Sequence, residues 1–383
     1  MYFNRYIHKE KNMDNSIKMC CPCHFGLESV LKYEIAKIGG DNIKVNDGKV
    51  SFTGDDNILA RANLCLSTAE RVMIELAEFK AVTFEELFQN VRAIEFERYI
   101  GIKDAFPVKG YSLNSKLHSV PDCQSIIKKA VVERLRGKYG VEWFDETGAT
   151  VQIKFSILKD NVIIYLDTSG TGLHKRGYRR NSNSAPIKET LAAGIVDLAR
   201  VRPDSIVCDP FCGSGTLLIE AGLKALNIAP CINRRFSAEK WESIPDSVWR
   251  EERTRAIDSV NRSAKFEAVG FDIDDSAVAL TLDNARKAGI KSRMKIEQAD
   301  ISKFRQPENS IVICNPPYGE RLLEIREAEN IYRQMGKVFG KGSGQSGYII
   351  SPHEEFESFF GKKAHKRRKL YNGMIKCQLY MYF

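Results

Sequence analysis

A short apolar run, Ser205-Ile206-Val207-Cys208, leads into Asp209-Pro210-Phe211-Cys212-Gly213-Ser214-Gly215-Thr216 and then into the helical spacing of Leu217-Leu218-Ile219-Glu220-Ala221. Strand, tight glycine turn and helix in that order form the unit that opens a nucleotide-binding α/β domain. The glycines let a ligand approach the main chain closely. The loop has no Lys-Ser/Thr pair for a triphosphate. Leu218 stands where a dinucleotide fingerprint would place its third glycine.

Two further apolar strands each deliver an acid. Glu267-Ala268-Val269-Gly270-Phe271-Asp272 ends in Asp272, a residue suited to ribose hydroxyls, although it lies 57 positions beyond Gly215, against roughly 20 in the simple unit. An insertion from Leu226 to about Arg262, with Trp241, Trp249 and many charges, fills the difference. Asp274 or Asp275 is expected to cap the following helix. Met294–Gln298 forms the next strand and delivers Asp300, placed to accept from an adenine amino group. A continuous apolar strand, Ser310–Cys314, then ends in Asn315-Pro316-Pro317-Tyr318, which therefore emerges beside the glycine loop at the carboxyl edge of a parallel sheet.

These segments resemble the class I S-adenosylmethionine (SAM)-dependent methyltransferases of amino groups. His24-Phe25-Gly26-Leu27-Glu28, Asp167-Thr168-Ser169-Gly170, Leu173-His174-Lys175-Arg176-Gly177-Tyr178-Arg179 and Ala185–Ala193 narrow the resemblance to the THUMP-domain RNA guanine-N2 methyltransferases of bacterial large-subunit rRNA type. It covers nearly the whole chain from about Ile17. It implies an α/β Rossmann-like methyltransferase domain, its mostly parallel sheet closed by an antiparallel terminal hairpin, preceded by an α+β ferredoxin-like/THUMP module. The expected divisions are an unmatched tail (1–16), a ferredoxin-like part (17–66), a THUMP part (67–168), a basic linker (169–185) and the catalytic domain (186–383). Met13 is an alternative start. By position, the resemblance assigns SAM to Asp209, Phe211, Gly213, Gly215, Asp272 and Asp300, and the target amine to Asn315, Pro316, Pro317 and Tyr318.

The tetrad's residue types suit that task. An amine conjugated to a ring is a poor nucleophile. The Asn315 side-chain oxygen and the Pro316 carbonyl can take both its hydrogens and aim the lone pair, while Pro-Pro fixes the backbone without a competing N–H. Tyr318 offers a face for stacking. Positioning and electrostatics replace a strong base, since methylation itself acidifies the nitrogen.

The resemblance implies methyl transfer to guanosine N2 in large-subunit rRNA, with tRNA as the alternative. A DNA or protein amine, or a catalytically idle RNA-binding protein, ranks lower. A formal charge of +9 suits a polyanionic partner. No run of 18 apolar residues and no secretory segment occur, so a cytoplasmic protein without a membrane span is expected. Cys20, Cys21, Cys23 and His24 form the only cysteine cluster and lack paired metal spacing; they read as a buried strand with reduced thiols and no metal. Lys175, Arg176, Arg179 and Arg180 are expected to grip RNA phosphates. Lys362–Lys369 reads as a solvated face or a salt-bridged edge strand. Asn46-Asp47-Gly48, Lys159-Asp160-Asn161 and Asn372-Gly373 signal hairpins, the last of type I′.

Overall fold

The computed structural model describes residues 16–179, 187–319, 322–340 and 342–383; most of the expected tail, Met13 and Arg180 lie outside them. β1 (Ile17–Pro22), α1 (Glu28–Ile38), β2 (Asp41–Asn46), β3 (Lys49–Gly54), α2 (Asp56–Cys65) and β4 (Met73–Lys80) come first. α3 (Phe84–Arg92), β5 (Val108–Leu113), α4 (Val120–Tyr139), β6 (Gln152–Leu158) and β7 (Asn161–Asp167) follow. These strands form one sheet, β2-β3-β1-β4-β7-β6-β5, antiparallel except where β5 lies beside β6. β4 pairs with β1 on one side and β7 on the other, so the two expected N-terminal parts share a continuous ladder. The helical apolar spacing after Leu27 buries Val30, Leu31 and Ile35, and Cys20, Cys21 and Cys23 are buried in or just after β1, as their strand reading requires. Lys159 and Asp160 both take positive φ in the turn joining β6 to β7, the geometry of the expected hairpin.

The second half contains α5 (Glu189–Leu198), β8 (Ile206–Asp209), α6 (Thr216–Ala225), α7 (Asp246–Asp258), β9 (Glu267–Asp272), α8 (Asp275–Lys287), β10 (Met294–Gln298) and β11 (Ser310–Cys314). α9 (Leu322–Val338), β12 (Ser346–Ser351), α10 (Phe356–Phe360), β13 (Lys366–Asn372) and β14 (Ile375–Tyr382) complete it. Its sheet runs β10-β9-β8-β11-β12-β14-β13. The first five strands are parallel, and β14 and β13 close the edge antiparallel. The chain leaves β8 for β9 on one side, while β11 lies on the other. That reversal of strand order opens a crevice beyond the carboxyl ends of β8 and β11, where ligands of such sheets bind.

The terminal hairpin corrects one expectation. Asn372 pairs with Ile375, so the central turn residues are Gly373 and Met374, and only Gly373 takes positive φ (63°). A type I′ turn needs positive φ at both. Glycine at the first central position lets the strands reverse in two residues.

The insertion before β9 packs away from the site. Phe236, Trp241 and Trp249 are buried in the core of the N-terminal half. The Trp241 indole donates to the Thr150 carbonyl at 3.0 Å. Arg61 of α2 makes a two-pronged ion pair with Glu252 of α7, at 2.7 and 2.6 Å. The insertion thus ties the two halves together, and it needs both tryptophans for the apolar area they bury.

Candidate active site

The glycine loop is built from below and from behind. Asp209, at the end of β8, is 2% exposed, and its Oδ1 accepts from the Phe211 amide at 3.0 Å. Gly215 opens α6 at φ 77°, and a Cβ there would stand 2.7 Å from the Thr281 methyl of α8. Close helix approach and left-handed backbone thus both demand glycine. Thr281 Oγ1 donates to the Gly213 carbonyl (2.8 Å) and Asn284 to the Ser214 carbonyl (2.9 Å), so α8 holds the loop's shape.

Asp272, at the end of β9, accepts from the Gly213 amide at 2.9 Å through Oδ2 and from the Asp274 amide at 3.0 Å through Oδ1. A carboxylate has about four acceptor positions, so capacity remains toward the crevice. Of the two residues expected to cap the following helix, Asp274 is the cap: its Oδ1 accepts from the Ser276 amide at 2.8 Å. Asp300 accepts from the Ser302 amide at 2.9 Å, which fixes it at the start of a short 3-10 turn.

Asn315 and Tyr318 are coupled. The Tyr318 hydroxyl donates to Asn315 Oδ1 at 2.5 Å and receives the Asn372 side-chain amide at 3.3 Å. The Tyr332 hydroxyl donates to the Pro317 carbonyl at 2.9 Å, fixing the far end of the tetrad. The Tyr318 ring packs partly buried against the core, and burial pushes its phenol well above the ordinary range. It is therefore a neutral donor at physiological pH.

These groups meet in one cleft of about 710 Å³, lined by Phe211, Asp272, Asp300 and all four residues Asn315–Tyr318. The structure adds Lys188, Asn372, Gly373 and Ile375 to its wall. Sequence reasoning read Asn372-Gly373 only as a turn. The pairing of β14 with β12 is what brings that turn to the tetrad.

Asp209 is a correction among the expected cofactor contacts. It is buried beneath the loop rather than lining the cleft, and acts by shaping it. Burial, aided by the nearby Asp272 charge and opposed by the Phe211 amide, pushes its carboxyl up to about 8. A raised acid contributes stability that is fully present below its unfolded pKa of about 4 and is lost as pH rises through the folded value. The wild type is therefore expected to lose stability relative to Asp209→Asn between about pH 4 and pH 8. Urea unfolding midpoints of both proteins across that range check this, and parallel curves would refute a buried neutral acid.

The basic linker is a second correction. The Arg176 side chain is 0% exposed and pairs with Glu220 at 3.4 Å, while its other nitrogen donates to the Leu173 carbonyl at 2.8 Å. Arg179 donates to Glu189 (2.9 Å), the Ile187 carbonyl (3.0 Å) and Thr216 (3.1 Å). Both guanidinium groups are consumed inside the protein, so neither is free for a phosphate; Lys175 is exposed. A polyanion and a buried carboxylate demand the same cation, and composition does not separate them.

The cleft fits SAM by its donor set. Asp272 suits ribose hydroxyls, and Asp300 suits an amino group. A side chain at Gly213 would enter open space, with nothing nearer than the Phe211 carbonyl at 4.0 Å. That space admits a ligand against the main chain. Asp272→Ala is expected to weaken SAM binding about 10–100-fold, the effect of losing one or two charged hydrogen bonds. Calorimetric titration measures it; an unaltered Kd would move the ribose contact elsewhere.

Family descriptions match three stretches: "RlmL ferredoxin-like domain" at 18–73, "THUMP domain" at 81–167 and "RMKL-like, methyltransferase domain" at 176–381. The chain is 44% identical over 361 residues to YpsC of Bacillus subtilis, provisionally named an RNA methyltransferase, covering 94% of each chain. It is 31% identical to the ribosomal RNA large subunit methyltransferase K/L of Psychromonas ingrahamii over 94% of this chain but 49% of that one, and so spans about half the length of such relatives. Among solved structures, SMU.472, provisionally named a methyltransferase and complexed with SAH, superposes at TM-score 0.92 with 38% identity, covering 97% of this chain and 99% of that one. A Listeria monocytogenes structure provisionally named an N6-adenine-specific DNA methylase superposes at 0.92 with 44% identity, covering 97% of both.

Proposed function

Since the chain belongs to the RMKL-like family of SAM-dependent methyltransferases with an N-terminal THUMP domain, we propose that it methylates the exocyclic N2 amine of a guanosine in large-subunit ribosomal RNA in the cytoplasm. One observation carries the reading: Asn315-Pro316-Pro317-Tyr318 shares a single cleft with Asp272 and Asp300, in a chain that also holds a THUMP domain. The large-subunit assignment follows the K/L relatives. Among the described residues no helix is long and apolar enough to cross a membrane.

SAM, when bound, supplies a methyl group on a sulfonium. The rest is the work of this chain. Asn315 Oδ1 and the Pro316 carbonyl accept the two amine hydrogens, which turns the nitrogen lone pair toward the methyl. Asn315 Oδ1 already accepts from Tyr318, and an amide oxygen can accept twice, so the Tyr318 hydroxyl holds the Asn315 side chain in place as the amine arrives. The amine acquires positive charge during transfer, and both acceptors bind it more strongly then than before. The new bond acidifies the nitrogen, and its surplus proton then passes to solvent water at the mouth of the cleft.

Tritium transfer from labelled SAM to unmodified ribosomal RNA, tRNA and adenine-containing DNA, followed by nucleoside analysis, tests the reading. Label as N2-methylguanosine in large-subunit RNA is the expected result. The same nucleoside in tRNA alone would move the substrate. Label as N6-methyladenine in DNA would overturn the base assignment and favour the name carried by the Listeria neighbour.

A further inference from the structure

We propose that the hairpin of β13 and β14 is the element that opens the RNA stack: Met374 fills the space left when the target guanosine turns into the cleft, and the basic edge follows adjacent phosphates. The proposal rests on the RNA reading above. Met374 is 98% exposed, more than any other large apolar side chain among the described residues; Trp143 follows at 79%. Such a side chain adds nothing to the fold's core.

Its position gives it a use. Asn372, Gly373 and Ile375 line the catalytic cleft. Gly373 also lines a neighbouring groove of about 900 Å³, walled by His24, Lys188, Lys369 and Tyr371. Met374 thus stands on the ridge between the cleft that takes the base and a groove open to the chain beside it.

The tip is held firmly. The turn closes in two residues, with Asn372 paired to Ile375. Tyr318 receives Asn372 at 3.3 Å, which links the tip to the catalytic Asn315. Tyr371 meets Phe25 edge-on at 6.3 Å, which docks the hairpin on the N-terminal half.

The charge is complementary. Lys366, Lys369 and Lys376 are exposed, and among the described residues none of them forms an ion pair. Arg367 is the exception, bound to Glu357. Of the groove's acids, Glu70 is taken up by His24, His174 and Lys188, and Glu28 by the Gly26 and Gly48 amides, leaving Asp47 exposed. A base held in the stack cannot bring its amine to Asn315 and Pro316 inside the cleft, so the nucleotide must leave the stack. Apolar side chains on basic nucleic-acid-binding elements insert between base steps and hold them unstacked, while contacts to the backbone offset the cost.

The test compares wild type, Met374→Ser and Met374→Leu on two RNAs: a folded fragment holding the modified guanosine in its stack, and a short oligonucleotide presenting the same guanosine unpaired. For Met374→Ser, the ratio of kcat/KM on folded over unpaired RNA is expected to fall about tenfold, a part of the unstacking cost. Met374→Leu should restore it. An unaltered ratio, or an equal loss on both RNAs, overturns the wedge. Wild type inactive on every RNA would instead overturn the RNA reading, and the wedge with it.

Discussion

Asn315→Ala is expected to lower kcat by about 10²–10³-fold, the usual loss when one preorganised group facing developing charge is removed. SAM affinity should stay within a few-fold, because the proposed assignment gives Asn315 the amine and leaves the ribose and amino contacts of SAM to Asp272 and Asp300. Removing the side chain also strands the Tyr318 hydroxyl that donates to it. Asn315→Asp keeps an acceptor oxygen at the same reach, exchanging the amide NH2 for a second acceptor, and should retain more activity than Ala. Single-turnover methyl transfer with SAM titration alongside separates the effects. A near wild-type rate for Asn315→Ala would show that the amine is held by other groups, and a large loss of SAM affinity would show a cofactor role instead.

Arg176→Ala is expected to destabilise the protein by about 3–5 kcal/mol, because it leaves the Glu220 carboxylate buried without its cation. Arg176 and Glu220 are 0% and 1% exposed, so solvent screening offers little relief. The Tyr178 hydroxyl donates to the same carboxylate at 2.9 Å and cannot neutralise it. The double variant Arg176→Met with Glu220→Leu removes both charges together and should recover much of the loss. Urea denaturation measures both proteins, with the midpoint and slope read separately. If Arg176→Ala unfolds like wild type while RNA binding drops, the guanidinium belongs to the RNA after all.

The catalytic half was legible because its motifs act through the backbone. Asp272 and Asn315 each end an apolar strand, and parallel sheets carry such ends to one edge whatever lies between. The 57-position gap from Gly215 to Asp272 did not disturb this, since the insertion leaves by a loop and docks elsewhere. The short-range signals were similarly readable, including the Asp274 cap and the Lys159-Asp160 turn.

Charged side chains were less legible. Arg176, Arg179 and Lys175 lie within five positions of one another and look alike in sequence. One is buried against Glu220, one is spent on Glu189, and one is exposed. Their fates depend on acids 10 and 44 residues away, a distance across which sequence carries no pairing rule. Asp209 shows the same limit: its place at a strand end suggested a ligand, but its depth below the loop makes it a support.

The sequence by itself determined the parallel methyltransferase sheet, the order of loop, acids and tetrad, and the cleft they share. Each follows from local backbone rules and the alternation of strand and helix. Only the tertiary structure decided which arginines remain free, that α7 and two tryptophans bind the halves together, and that a Gly373-Met374 turn stands beside Asn315. Those outcomes depend on contacts between residues distant in the chain, where burial and charge pairing are set by packing rather than by spacing.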